Sequence, residues 1–353
     1  MHSVKTRGFS LVELLLALGL GLVITAGIVQ LFVGNDRTQS ILVGQSRLQE
    51  GARYAFDFIG RSVRSSGYFG CAPEPDRLYN TLNGSWDEVF EADITTPIEA
   101  FDYTGGGGTS RADWTPSWVD GNRFVDGDGI DSDDIAPGTD ILVVRRIESP
   151  GHSIDALTAP EADPVTLRVD GALTIGQDDF AVIANCEQAA VFRVQDVVLN
   201  GNEATLNRGA TKGKFGNSGN PLSETGLSYG NVVNSQGSTV GRVVTDIYYI
   251  GPGAGVDNRG APVLALWRRS GIDAAIELVE GVTDLQILFG VDTDATDNLA
   301  TINQYMDFDS IGLNHVIRTV RIEITSSSVD VLADATAPAL RTFSQTINLR
   351  NAS

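Results

Sequence analysis

Histidine and cysteine are scarce in this 353-residue chain, with 3 and 2 copies, and its 25 basic residues are outnumbered by 45 acidic ones. Each shortage excludes something. A formal charge of −20 argues against nucleic acid as a partner, because a phosphate backbone needs clustered Lys and Arg. The histidines are His2, His152 and His315, no H-E-x-x-H occurs, and the two cysteines have no C-x-x-C spacing. Metalloprotease, zinc and thioredoxin-like readings fall away. Parallel βαβ alternation and internal repeats are also missing. What remains is a globular composition, 42% hydrophobic, whose 39 glycines point to a strand-heavy, loop-rich body.

Charge is spread unevenly. Residues 34–66 hold Arg37, Arg47, Arg53, Arg61 and Arg64 against Asp36, Glu50 and Asp57, a net of +2; residues 1–33 are at +1, which leaves −23 on the remainder. A basic stalk followed by an acidic head implies two parts with different surroundings.

The stalk begins in an apolar run. From Phe9 to Val33 the chain is hydrophobic except for Glu13, Gln30 and a few small polar residues, and Lys5 and Arg7 precede it. About 25 residues at a 1.5 Å rise can cross a hydrocarbon core of roughly 30 Å. The basic flank keeps the first residues cytoplasmic, so everything after Val33 is expected on the other side of the membrane. A secretory signal would have a shorter core and a small-residue cleavage site after it, whereas Gly34-Asn35-Asp36-Arg37 follows here. A plain anchor fits the length but leaves Glu13 unexplained, and an acid inside an apolar helix costs about 2.5–3.5 kcal/mol on insertion scales.

Arg7-Gly8-Phe9-Ser10-Leu11-Val12-Glu13 resembles the processing site of type IV pilins and of the pseudopilins of type II secretion. The resemblance implies cleavage by a prepilin peptidase between Gly8 and Phe9, N-methylation of Phe9, and an assembly role for Glu13 as the fifth mature residue. The chemistry is coherent without the family. The cut would create an amine one helical turn from Glu13, and a carboxylate is favoured near a helix N-terminus.

Helical periodicity continues past the membrane. Ile41, Leu48, Ala52, Ala55, Phe56, Ile59 and Val63 share one face, and Gly67 stands where a C′ residue would end the helix. One helix from Phe9 to Ser66 would be about 87 Å long. The expected divisions are a leader at 1–8, a transmembrane half at 9–33, an amphipathic half at 34–66 and a head at 67–353.

The head reads as α+β with largely antiparallel sheets. Expected strands are 140–147, 164–169, 180–184, 190–199, 242–250, 262–268, 285–289, 316–325 and 343–349. Tyr68-Phe69-Gly70-Cys71, the stretch Asp140–Arg146, the Asn185-Cys186-Glu187 turn and the segment Glu280-Gly281-Val282…Phe289-Gly290 resemble PilW-type minor pilins. That resemblance implies a low-abundance pilus subunit that primes assembly with other minor pilins, the major pilin, a tip adhesin and an inner-membrane platform. It implies roles in adhesion and twitching motility, and no enzymatic activity. The alternatives are a J-type pseudopilin and a membrane-tethered envelope binding protein.

Three smaller features complete the reading. If the head lies outside the cytoplasm, Cys71 and Cys186 read as a disulfide closing one long loop, worth about 4–5 kcal/mol in the chain-entropy model; the alternative is two buried thiols. Asp126, Asp128, Asp131 and Asp133 sit in an Asp/Gly-rich loop with oxygens that suit calcium, yet glycine and glutamate are misplaced for an EF-hand. A solvated acidic loop is the favoured reading, so no cofactor is expected. Gly209–Phe215 is one residue short of a phosphate loop and has Phe215 where Ser or Thr is required.

Overall fold

The computed structural model describes residues 10–70, 78–105, 113–116, 130, 134–148, 151–154, 164–169, 171–185, 187–210, 213, 215–222, 229, 238–271, 273–294, 301–332 and 335–350. It opens with one helix, α1 (Leu11–Ser65), of 55 residues, about 82 Å long at the standard rise. Gly67, at φ +69°, ends it as expected, and its amide donates to the Arg145 carbonyl at 3.0 Å. The last turn of the helix is thereby tied to the body.

Strands follow almost without further helix. They are β1 (Leu78–Asn80), β2 (Ile98–Tyr103), β3 (Trp114–Thr115), β4 (Ile141–Ile147), β5 (His152–Ser153) and β6 (Val165–Arg168). Next come β7 (Phe180–Ala184), β8 (Ala189–Arg193), β9 (Asp196–Asn200), β10 (Glu203–Asn207) and β11 (Thr239–Val256). The last are β12 (Pro262–Ser270), β13 (Ile276–Glu280), β14 (Val282–Asp292), β15 (Gln304–Met306), β16 (Val316–Val331) and β17 (Pro338–Asn348).

These strands form three sheets. The largest runs β1-β8-β7-β11-β4-β2-β3, with β12 on β11, β13 on β12, and β5 on β11. A three-stranded sheet is ordered β6-β10-β9 and a four-stranded one β15-β14-β16-β17. Strand pairing is antiparallel except between β1 and β8. The fold is α+β, a long N-terminal helix followed by mostly antiparallel sheets, as the sequence implied.

The main core joins the helix to the sheets. Ala55, Ile59 and Val63 pack with Leu285, Ile287 and Phe289 of β14, Val320, Ile322 and Ile324 of β16, and Ile347 of β17. Alternation explains the sheet side: residues two apart on β14 and β16 point to the same face. A second core under β6–β10 and a third under β1, β7 and β8 have no residue of α1 among them.

Two strand expectations are corrected. The run 190–199 is two strands in different sheets, because the Val194 amide bonds to Asp179 while the Gln195 amide bonds to Asn207. The chain changes partners there. Strand β11 continues past Ile250 to Val256, through glycines that break the β pattern; at Gly251 an added Cβ would lie 2.2 Å from the Asp134 carbonyl oxygen.

Candidate assembly site

At the start of α1, Ser10 is the N-cap. The Val12 amide donates to Ser10 Oγ at 3.3 Å, and the Ser10 amide donates to Glu13 Oε2 at 3.2 Å. Two of the amides orphaned at a helix start are thus satisfied reciprocally, in a capping box. Glu13 was expected on the strength of its cost in an apolar helix; here its carboxylate faces the positive end of its own helix. Ser10 was not singled out in advance, although S-x-x-E ahead of an apolar run is a capping signature. Gly8 and Phe9 lie outside the described residues.

From Leu11 to Val33 the helix is bare on every side. Leu11 is 74% exposed and Phe32 76%, and nothing lies within 4 Å of a Cβ built on Gly19, Gly21, Gly27 or Gly34. The helix is long and apolar enough to cross a membrane. Such a surface suits an apolar surrounding such as lipid. Thr25 suits that setting, since its Oγ1 donates back to the Gly21 carbonyl at 2.8 Å and presents no free donor to hydrocarbon.

Contact with the head begins at Gly44, one turn later than the periodicity implied, and Ile41 stays exposed. A Cβ on Gly44 would come within 2.6 Å of Leu332 Cδ2, so the missing side chain lets the end of β16 approach. Arg47 pairs with Asp330 at 3.0 Å, with both groups largely in water, which makes the pair worth little. Deeper in, Ser62 Oγ donates to Asp246 Oδ2 at 2.8 Å, and Arg146 reaches the same oxygen at 3.0 Å. Asp246 is buried, so this anchor between helix and head is shielded from solvent.

The stretch Asp140–Arg146 links parts of the head. Asp140 accepts from the Tyr103 amide at 3.1 Å and from the Ile287 amide at 2.9 Å, tying β2 to β14. Burial raises its carboxyl to about 6. Burial, then the neighbouring carboxylates of Asp140 and Asp307, raises Asp102 to about 7. Fully buried Arg145 donates to the carbonyls of Phe90 and Thr96, both at 2.8 Å, and pairs with Glu99.

The family model of type IV pilus-assembly protein W, PilW, matches residues 247–351. The match covers less than half of the chain. That segment holds the end of β11 and all of β12 to β17, the strands that supply most of the head's side of the helix-binding core. The match therefore falls on the part of the head that grips α1, and it supports involvement in type IV pilus assembly. No curated protein and no solved structure matches the chain.

The other expected site residues lie outside the described residues: Cys71 and Cys186 of the disulfide, and Asp126, Asp128, Asp131 and Asp133 of the calcium loop. Among the described residues, no group of three or more His, Cys, Asp or Glu is placed to hold a metal. Phe215, the residue at odds with a phosphate loop, packs its ring 6.3 Å from that of Phe180. Gly226-Leu227-Ser228-Tyr229-Gly230 spells G-x-S-x-G, but a nucleophile elbow needs a strand entering a helix. Of these five residues only Tyr229 is among the described ones.

Proposed function

We propose that the chain is a minor pilin of a type IV pilus, a structural subunit that helps prime assembly and has no catalytic role. The observation that carries this reading is the division of α1: one half is bare and apolar, and the other is buried in the sheets that make up the PilW segment.

The division gives the subunit two homes. Residues 11–33 extend about 34 Å, enough to span the inner membrane before assembly. Moving that half into a bundle of other subunits' helices exchanges one apolar surrounding for another, so extraction from lipid into a filament is inexpensive. The leader, residues 1–8 with Lys5 and Arg7, stays cytoplasmic and is removed by a prepilin peptidase. The N-methylated Phe9 amine then lies one turn from Glu13, whose carboxylate can leave its cap to pair with the amine of a neighbouring subunit.

The acidic head, residues 67–353, is displayed in the periplasm and afterwards at the cell surface. Its partners are the other minor pilins, the major pilin, a tip adhesin and the inner-membrane platform. Adhesion and twitching motility follow from the pilus. The test is the mature N-terminus of protein purified from membranes. Mass spectrometry is expected to find methylated Phe9; a chain beginning at Met1, or an unmethylated cut elsewhere, would overturn the proposal.

A further inference from the structure

Strand β17 ends the four-stranded sheet, and among the described residues it pairs with β16 alone. The ladder fixes which of its backbone groups face outward. The Leu349 amide donates to the Arg318 carbonyl at 3.0 Å, in the register that sets Asn348 opposite Thr319. Hydrogen-bonded pairs alternate along an antiparallel ladder, so Arg341, Phe343, Gln345 and Ile347 bond to β16. The Ser327 amide agrees with this phase, since it bonds to the Gly281 carbonyl on the β14 side. Leu340, Thr342, Ser344, Thr346 and Asn348 therefore aim their amides and carbonyls away from the sheet, and all five are exposed.

Long edges are commonly blunted by charge, proline or a bulge. These outward residues include neither charge nor proline. The register break with β16 comes before Leu340, opposite Ser327–Val331. The stretch from Leu340 to Asn348 is regular and open.

Chemistry beside the edge specifies what can lie there. A groove of about 470 Å³ runs between β17 and α1, lined by Arg53, Phe56, Arg64, Phe343 and Gln345 together with Asp57 and Ser344. Asp57 is already held by Arg61 at 2.7 Å. Arg341 stacks over the Phe343 ring at 5.0 Å, on the same side of the strand. Arg53, Arg64 and Arg341 have no carboxylate partner among the described residues. On a molecule of net charge −20 this is a local reversal to positive.

We propose that β17 accepts an acidic, extended segment of a partner polypeptide as an added strand. Backbone bonds to Leu340–Asn348 supply the pairing, and carboxylates seated against Arg53, Arg64 and Arg341 supply the selectivity. The edge belongs to the head, so its pairing is separable from how the N-terminal helix is processed.

The test uses the full chain in detergent micelles and synthetic nine-residue peptides that alternate threonine with glutamate or with lysine. Hydrogen exchange is followed at residues 340–348. The glutamate peptide is expected to slow exchange at Leu340, Thr342, Ser344, Thr346 and Asn348 at least tenfold, and the lysine peptide to leave it unchanged. Ser344→Pro removes one outward amide and none of the bonds to β16, so it should abolish the protection. Arg53→Glu with Arg64→Glu should weaken binding at least tenfold without touching the strand, which keeps the test decisive if the proline variant unfolds. Equal protection by both peptides, or none by either, would overturn the proposal. Protection that grows with protein concentration in the absence of peptide would overturn it in favour of pairing between two copies.

Discussion

The two halves of α1 are one continuous helix with opposite surroundings. In residues 11–33 apolar side chains circle the axis and none is buried; in residues 44–65 they form a stripe, and Leu48, Ala52, Ala55, Ile59 and Val63 are buried against the head. A helix that is apolar all round must be enclosed, whereas a striped helix is content at a surface. The difference shows that two separate demands are written into one element. The stripe makes the helix part of the head, and the all-round half is long and apolar enough to cross a membrane.

The comparison predicts unequal effects of equal substitutions. Ile59→Ala removes a side chain with 0% exposure from the main core, and should cost the head about 2–5 kcal/mol in denaturant unfolding. Leu20→Ala deletes as much apolar surface from the bare half, and should stay within about 0.5 kcal/mol in the same detergent. Similar losses at the two positions would break the division.

Ser62→Ala tests the polar anchor within the striped half. Removing the hydroxyl that donates to buried Asp246 should cost about 1–3 kcal/mol. A matched loss of the exposed hydroxyl at Thr25 should leave head stability unchanged, as read by the same unfolding curve.

A pH effect belongs to the head and not to the bare half of the helix. Asp102 and Asp140 are raised in the fold from 3.8 to about 7 and about 6. A carboxyl raised in this way holds its proton in the folded state and releases it on unfolding. Its stabilising contribution is present at low pH and fades as pH climbs from about 4 through 7. The head's melting temperature should be higher at pH 5 than at pH 7.5, and Asp102→Asn should flatten that dependence. A profile that rises with pH over this window would contradict the arrangement of β2 against β14.

Much of this was readable from residues alone, for a physical reason. Helical period and apolar length are local properties, so α1 and its division were legible, as were strands with a continuous β-prone run such as β4 and β7. Pairings between distant segments were not. The parallel match of β1 with β8 and the change of sheet between Arg193 and Asp196 depend on partners far along the chain. Small and polar residues also hid their roles. Gly44 is a contact because it lacks a side chain, and Asp246 sits in an alternating strand yet is buried because Ser62 and Arg146 meet it there.

The most direct test of the whole account is the location of Glu13→Ala against the unchanged chain, with the N-terminal mass measured for both. If Glu13 serves assembly, both proteins will carry the same processed N-terminus, the unchanged chain will be found in sheared filaments, and the variant will stay in the inner membrane. Equal amounts of the two in the filament fraction would contradict it.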